Sequence, residues 1–253
     1  MHYSSKNYGF TQSQTLLILF VVLLVLFVLI FVPFHNSTKR KITVAKLKMV
    51  YTMLYQANNK YSINADSLSD YFDTALSPEE FGEEYYIPFL NIEDICSDNQ
   101  NKCWNEVQYK DLGGRKFSNK AAYSIILKNG AVIGFSKDKN GLMNLIVDID
   151  GKTGKNQLGY DVFVFSFYNN NLIPKLCEDS VYEIYIKDGM HFGGYDKCGI
   201  PQDIYDYKEL YSKDLADACN KKAPRSLDGI GIGAACSALI FKSNWTIDKI
   251  YPW

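Results

Sequence analysis

An uncharged apolar run from Thr15 to Phe34 constrains this chain more than any other feature. Leu16 to Val32 contains only Leu, Ile, Val and Phe. With Thr15, Pro33 and Phe34 the run reaches about the twenty residues that a helix needs to cross roughly 30 Å of hydrocarbon. A helix apolar on every face has to lie in lipid or inside a bundle. The core helix of a soluble domain is the alternative, and it is rarely this long without a polar residue. A secretory signal peptide carries a shorter apolar core, about 7 to 15 residues, followed by small residues of the Ala-x-Ala kind. Here Pro33-Phe34-His35-Asn36 follows, so cleavage after the run is not expected.

Orientation rests on two opposed signals. Lys39, Arg40 and Lys41 lie just past the run, whereas only Lys6 and the amino terminus precede it, and the positive-inside rule would leave the C-terminal side cytoplasmic. Six cysteines argue the other way. Cys96, Cys103, Cys177, Cys198, Cys219 and Cys236 are even in number, all follow the apolar run, and none has the C-x-x-C spacing of a metal site. They favour disulfides in an oxidising compartment, and the C-terminal part is expected outside the cytoplasm.

Directly before the apolar run stands Gly9-Phe10-Thr11, after a short leader with one lysine. This junction resembles the processing site of type IV prepilins and of type II secretion pseudopilins. In that family a membrane peptidase cuts after the glycine and methylates the new N-terminal residue. The resemblance implies a leader over 1–9, processing after Gly9, methylation of Phe10, an inner-membrane helix over 10–34 and prepilin peptidase as a partner. The family usually continues with two aliphatic residues and then a glutamate, fifth in the mature chain, which is thought to neutralise the amino terminus of a neighbouring subunit. This chain has Gln12-Ser13-Gln14 there. Gln14 offers a hydrogen-bond acceptor without charge, which points to a minor or tip-like subunit that assembles with other pilin or pseudopilin subunits. Pro33 matches the late proline of the family's first helix, where a missing N–H bends the chain.

Leu47, Val50, Leu54, Ala57 and Tyr61 recur at spacings of 3, 4, 3 and 4, one stripe of an amphipathic helix expected over 35–62. A stalk helix or coiled-coil dimer would show the same stripe. Residues 63–253, roughly 190 of them, are enough for one domain with its own core. A short helix is expected over Asp66–Thr74 and an irregular region over Ser77–Trp104. Strands are expected over Ala122–Leu127 and Ala131–Phe135, joined at Asn129-Gly130 as a two-residue hairpin, then over Leu142–Val147, Val162–Phe167 and Val181–Ile186. Asp206–Cys219 and Ala234–Lys242 read as helical, with a flexible turn at Gly229–Gly233. The expected fold is α+β, a long N-terminal membrane-spanning helix packed on a small antiparallel sheet, as in the pilin αβ roll. The segments from Val147 through Phe163 and from Ala238 to Trp253 also resemble bacterial pilin-like proteins.

Among candidate sites, the stretch Asp148 to Asp161 is the richest in oxygen donors. Ca²⁺ takes six to eight oxygens, and Asp148, Asp150, Asn156 and Asp161 are the candidate ligands. It is not an EF-hand, because Lys152 holds the fifth position and Gly159 the twelfth. Pseudopilins carry a calcium loop of similar composition. The other reading is a turn in which Asp and Asn side chains bond their own backbone. The six cysteines allow 15 connectivities; the simplest pairs are Cys96 with Cys103, Cys177 with Cys198 and Cys219 with Cys236. Catalysis has little support, since His191 is the sole histidine beyond the membrane edge and no nucleophile elbow, metalloprotease motif or P-loop is present. Nucleic-acid binding is not expected from 27 basic against 28 acidic residues, although Lys221, Lys222 and Arg225 form a local cluster. The expectation is a non-enzymatic filament subunit of a type IV pilus or type II secretion type assembly. The rival is an unprocessed, single-pass, membrane-anchored binding or sensor domain.

Overall fold

The computed structural model describes residues 12–64, 76–96, 103–104, 109–116, 121–138, 141–151, 153–168, 189–195, 200–226 and 230–253. The processing residues Gly9 and Phe10, the cysteines Cys177 and Cys198, Asp66–Thr74 and Val181–Ile186 lie outside them. The chain forms two compact units that divide between Ile42 and Thr43.

Helix α1 (Gln12–Asn64) runs without interruption for 53 residues. Within the first unit its side chains from Leu16 to Leu29 are all exposed, between 47% and 66% each. Gln12–Leu29 has a mean hydropathy of 2.5 and is long and apolar enough to cross a membrane. At about 25 cal/mol per Å² of apolar surface, such a helix does not remain bare in water.

In the second unit the helix changes character. Leu47, Val50, Leu54 and Ala57 are each at most 1% exposed, while Met49 and Tyr55 on the other side are nearly half exposed. The buried stripe lies against a six-stranded antiparallel sheet in the order β1 to β6: β1 (Ile92–Cys96), β2 (Tyr123–Leu127), β3 (Val132–Lys137), β4 (Met143–Asp148), β5 (Val162–Tyr168) and β6 (Gly189–Phe192). An N-terminal apolar helix followed by an antiparallel sheet is a pilin-like arrangement, and the fold is α+β.

Alternation along the strands sorts the two faces. Tyr123, Phe135, Leu145, Phe165 and Phe192 face the helix as a cross-strand row, and Tyr51 of α1 meets Phe192 at 4.7 Å between ring centroids. The opposite face carries a second core around Trp104, Ile146, Val162 and Val164. Trp104 rests where Gly134 has no side chain and donates to Ser124 Oγ at 2.7 Å.

Several local expectations need correction. Ser77–Cys96, the first part of the region expected to be irregular, is regular: helix α2 (Pro78–Tyr85) opens on a capping box between Ser77 and Glu80, and β1 follows. The β2–β3 connection is not a two-residue turn, because Gly130 (φ +85°) is the residue in the left-handed region while Asn129 is not. Gly130 N–H donates to Leu127 and Leu127 N–H to Ala131, a type I turn closed by a glycine bulge, with Asn129 Oδ1 accepting from Ala131. Over Asp206–Cys219 only α3 (Tyr207–Leu210) is α-helical. Asp217 (φ +56°) breaks the pattern, its peptide N–H bonded to Pro224. The Gly-rich segment is a packed turn: Ile230 to Ala235 are buried, and a Cβ on Gly233 would approach Leu112 Cβ to 2.7 Å. It leads into α4 (Cys236–Lys242), near the expected helix.

Candidate functional site

The β4–β5 connection, from Ile149 to Asp161, leaves the sheet where Asp148 pairs with Val162. Asp161 organises it. Its two oxygens accept three successive backbone N–H groups, from Lys155, from Asn156 at 2.9 Å and from Gln157 at 2.7 Å. Asn156 is held at φ +50° in this nest, and its carbonyl accepts Lys110 N–H, tying in the 109–116 loop. Asp148, completely buried, accepts Tyr109 OH at 2.7 Å on Oδ2 and Asp150 N–H at 3.0 Å on Oδ1. Asp150 pairs with Lys46 Nζ of α1, the contact that fastens the loop to the helix. With both side chains partly exposed, that pair contributes at most about 1 kcal/mol.

Electrostatically the loop is under load. Burial pushes the Asp148 carboxyl up to about 7, with the Asp161 charge adding to the rise, against the opposing Tyr109 hydrogen bond. Burial raises Asp161 as well, even though three backbone hydrogen bonds favour its ionised form.

The candidate ligands are therefore neighbours, but their oxygens already serve protein donors. Asp161 is taken by backbone, Asp148 by Tyr109 and backbone, and Asp150 by Lys46; Asn156 Oδ1 is buried without a partner. Among the described residues no group of three or more His, Cys, Asp or Glu side chains is placed to hold a metal ion. As arranged, this set does not fit a Ca²⁺ shell. The full-length protein in detergent should melt at the same temperature with calcium and with excess chelator. A rise of several degrees in calcium would mean that the carboxylates turn from these donors to the ion.

The C-terminal segment closes over the same loop. Tyr251 OH donates to Gly159 O at 2.6 Å and Tyr160 OH to Pro252 O at 3.2 Å, while Trp253 lies 5.2 Å from the Tyr160 ring. The β4–β5 connection and the C-terminal segment thus meet in space. Cys219–Cys236 links the 211–220 segment to the start of α4, and Cys96–Cys103 links β1 to the segment bearing Trp104. Gln14 lies in the exposed first unit of α1.

His191 has a carboxylate beside it. Its Nδ1 is 3.0 Å from Asp203 Oδ1, and Asp203 Oδ2 accepts Phe192 N–H at 2.9 Å, which ties β6 to the 202–204 turn. Ser166 is the cross-strand partner of His191. Its hydroxyl is sealed from solvent and not hydrogen-bonded to the imidazole, so the three residues lack the link that activates a nucleophile. Sequence reading missed Asp203, which no motif connects to His191.

No protein-family model, curated protein or solved structure matches the chain. The arrangement of its own residues carries the functional reading.

Proposed function

We propose that this protein is a pilin-like or pseudopilin-like structural subunit, processed after Gly9 and anchored in the inner membrane. The observation that carries the reading is the two-part helix α1. Its first unit exposes apolar side chains on every side, and its second lays Leu47, Val50, Leu54 and Ala57 on an antiparallel sheet. One part is built for lipid or for neighbouring helices, the other for the head. Cys96–Cys103 and Cys219–Cys236 favour an extracytoplasmic head, because such bonds persist in oxidising compartments. The work of the head is structural, presenting contacts to other subunits.

Gln14 favours a second reading, a membrane-anchored binding domain that is never processed. Mass spectrometry of the native N-terminus separates the two. A chain beginning with N-methylated Phe10 is expected; an intact leader from Met1 would reject the filament reading.

A further inference from the structure

Two clusters of like charge lie toward opposite ends of the head's strands, although Lys137 stands near Glu80 at the acidic one. At the β4–β5 end, three loops bring cations together. Lys110 is bridged to both Lys116 and Gln157, with Arg115 in the same loop. Lys155 and Lys221 stand over one ring, 3.7 Å and 5.8 Å from the centroid of Tyr160, and Lys222 and Arg225 follow in the Lys221 loop. All seven are exposed, and none makes an ion pair with a described carboxylate. The loops do contain acids, but Asp111, Asp161 and Asp217 are buried and accept backbone N–H groups, and the partly exposed Asp150 is paired with Lys46 of α1. Inward carboxylates shape the loops and leave their outer surface positive.

The negative end is α2. It packs against Tyr123, Phe135 and Phe167, toward the end of the strands opposite Asp148, about 10 to 17 Å away along β4. Glu79, Glu80, Glu83 and Glu84 are exposed on its eight residues, with like charges at i and i+4 and no base in the last turn. Like-charge pairs at this spacing, and acids near a helix C-terminus, weaken a helix by a few tenths of a kcal/mol each. Glu80 has a capping role; Glu79 and Glu83 do not cap.

We infer that the basic end formed by Lys155, Lys221 and Lys222 receives the acidic helix α2 of a second copy of this chain in a head-to-tail contact. The inference rests on the filament-subunit reading and names the surfaces by which heads meet. Charge complementarity selects this occupant. A heterologous contact uses two different surfaces of one subunit and so repeats without closing, and one chain supplies both here. Cations over the Tyr160 ring also occupy a face on which a nucleobase would stack, which disfavours nucleic acid.

The test uses full-length protein in detergent, an equal mixture of isotope-labelled and unlabelled chains, and a carbodiimide that joins Lys to Glu directly. Intermolecular cross-links between the 221–222 segment and α2 are expected, falling steeply between 0.05 M and 0.5 M salt as the Debye length contracts. Glu79→Lys with Glu83→Lys should lower the yield about tenfold, as should Lys221→Glu with Lys222→Glu, on the scale of mutated charge contacts. Mixing the two variants should restore it, because each then presents a surface that fits the other. Restoration also shows that both variants are folded. The inference fails if either variant cross-links like the parent, or if mixing restores nothing. Loss confined to the basic-end variant would assign that surface to another anionic partner, such as a lipid headgroup. The N-terminal mass from the same preparation shows separately whether the processing reading stands.

Discussion

Asp161→Ala is expected to destabilise the head by about 3 to 5 kcal/mol, read as a lower denaturant midpoint for the full-length protein in detergent. Asp161 is 4% exposed and is the acceptor for Lys155, Asn156 and Gln157 N–H. A buried donor left without an acceptor costs about 1 to 3 kcal/mol, and this change strands up to three of them. The loss does not stay local. The nest fixes Asn156 in the left-handed region, and the Asn156 carbonyl holds Lys110. Gln157 Nε2 in turn holds Asp111 O at 3.0 Å. Asp161→Asn keeps one acceptor oxygen and should recover about half of the loss. If Asp161→Ala leaves the midpoint within about 0.5 kcal/mol of the parent, an acceptor other than Asp161 orders the loop.

What could be read from the residues depended on whether a single period decided the matter. The stripe Leu47, Val50, Leu54 and Ala57 was legible because one helix face is buried from end to end. Strands β2 to β5 were legible as β-branched and aromatic runs with both faces covered. The acidic–polar register of β1 (Ile-Glu-Asp-Ile-Cys) hides it, because an edge strand needs charge to block further pairing and so reads as loop. Strand β6 is four residues long, too short for a period. Helix α2 was announced by Ser77-Pro78-Glu79-Glu80, a capping box with proline at the first turn, and the acidic content of the segment obscured it. Over Asp206–Cys219 the apolar spacing did suggest helix, but Asp217 and the bond from Cys219 to Cys236 turn the chain back.

The candidate site was legible as a composition and not as a geometry. Asp148, Asp150, Asn156 and Asp161 were picked out by their oxygens, and they do come together. Their partners came from Lys46, about a hundred residues earlier in the chain, and from Tyr109, on a loop that no local pattern links to β4. Spacing within the loop could not reveal that each carboxylate has a protein donor. The same holds for the charged ends of the head. Net charge of −1 conceals them, because a sum over the whole chain does not show where clusters of one sign lie.

Asp148 should make the stability of the head fall as pH rises toward neutrality. Its ordinary value is 3.8, and in the folded protein it is pushed up to about 7, first by burial and then by the Asp161 charge. A group with a raised folded value binds its proton more tightly folded than unfolded. Its contribution is complete below about pH 4 and is lost as pH climbs through about 7. The interval corresponds to about 4 kcal/mol, at 1.36 kcal/mol for each tenfold change in proton affinity. Asp161, also raised by burial, adds to the same slope. Asp148→Asn removes the titration and keeps an oxygen for the Tyr109 hydroxyl, while its amide loses the Asp150 N–H. The variant should therefore show a flatter profile between pH 4 and 8, matching or exceeding the parent near pH 8 and falling below it near pH 4. Thermal melts across that range decide the matter. Parallel profiles for parent and variant would place the pH dependence elsewhere and mean that Asp148 is solvated more freely than its position under Tyr109 implies.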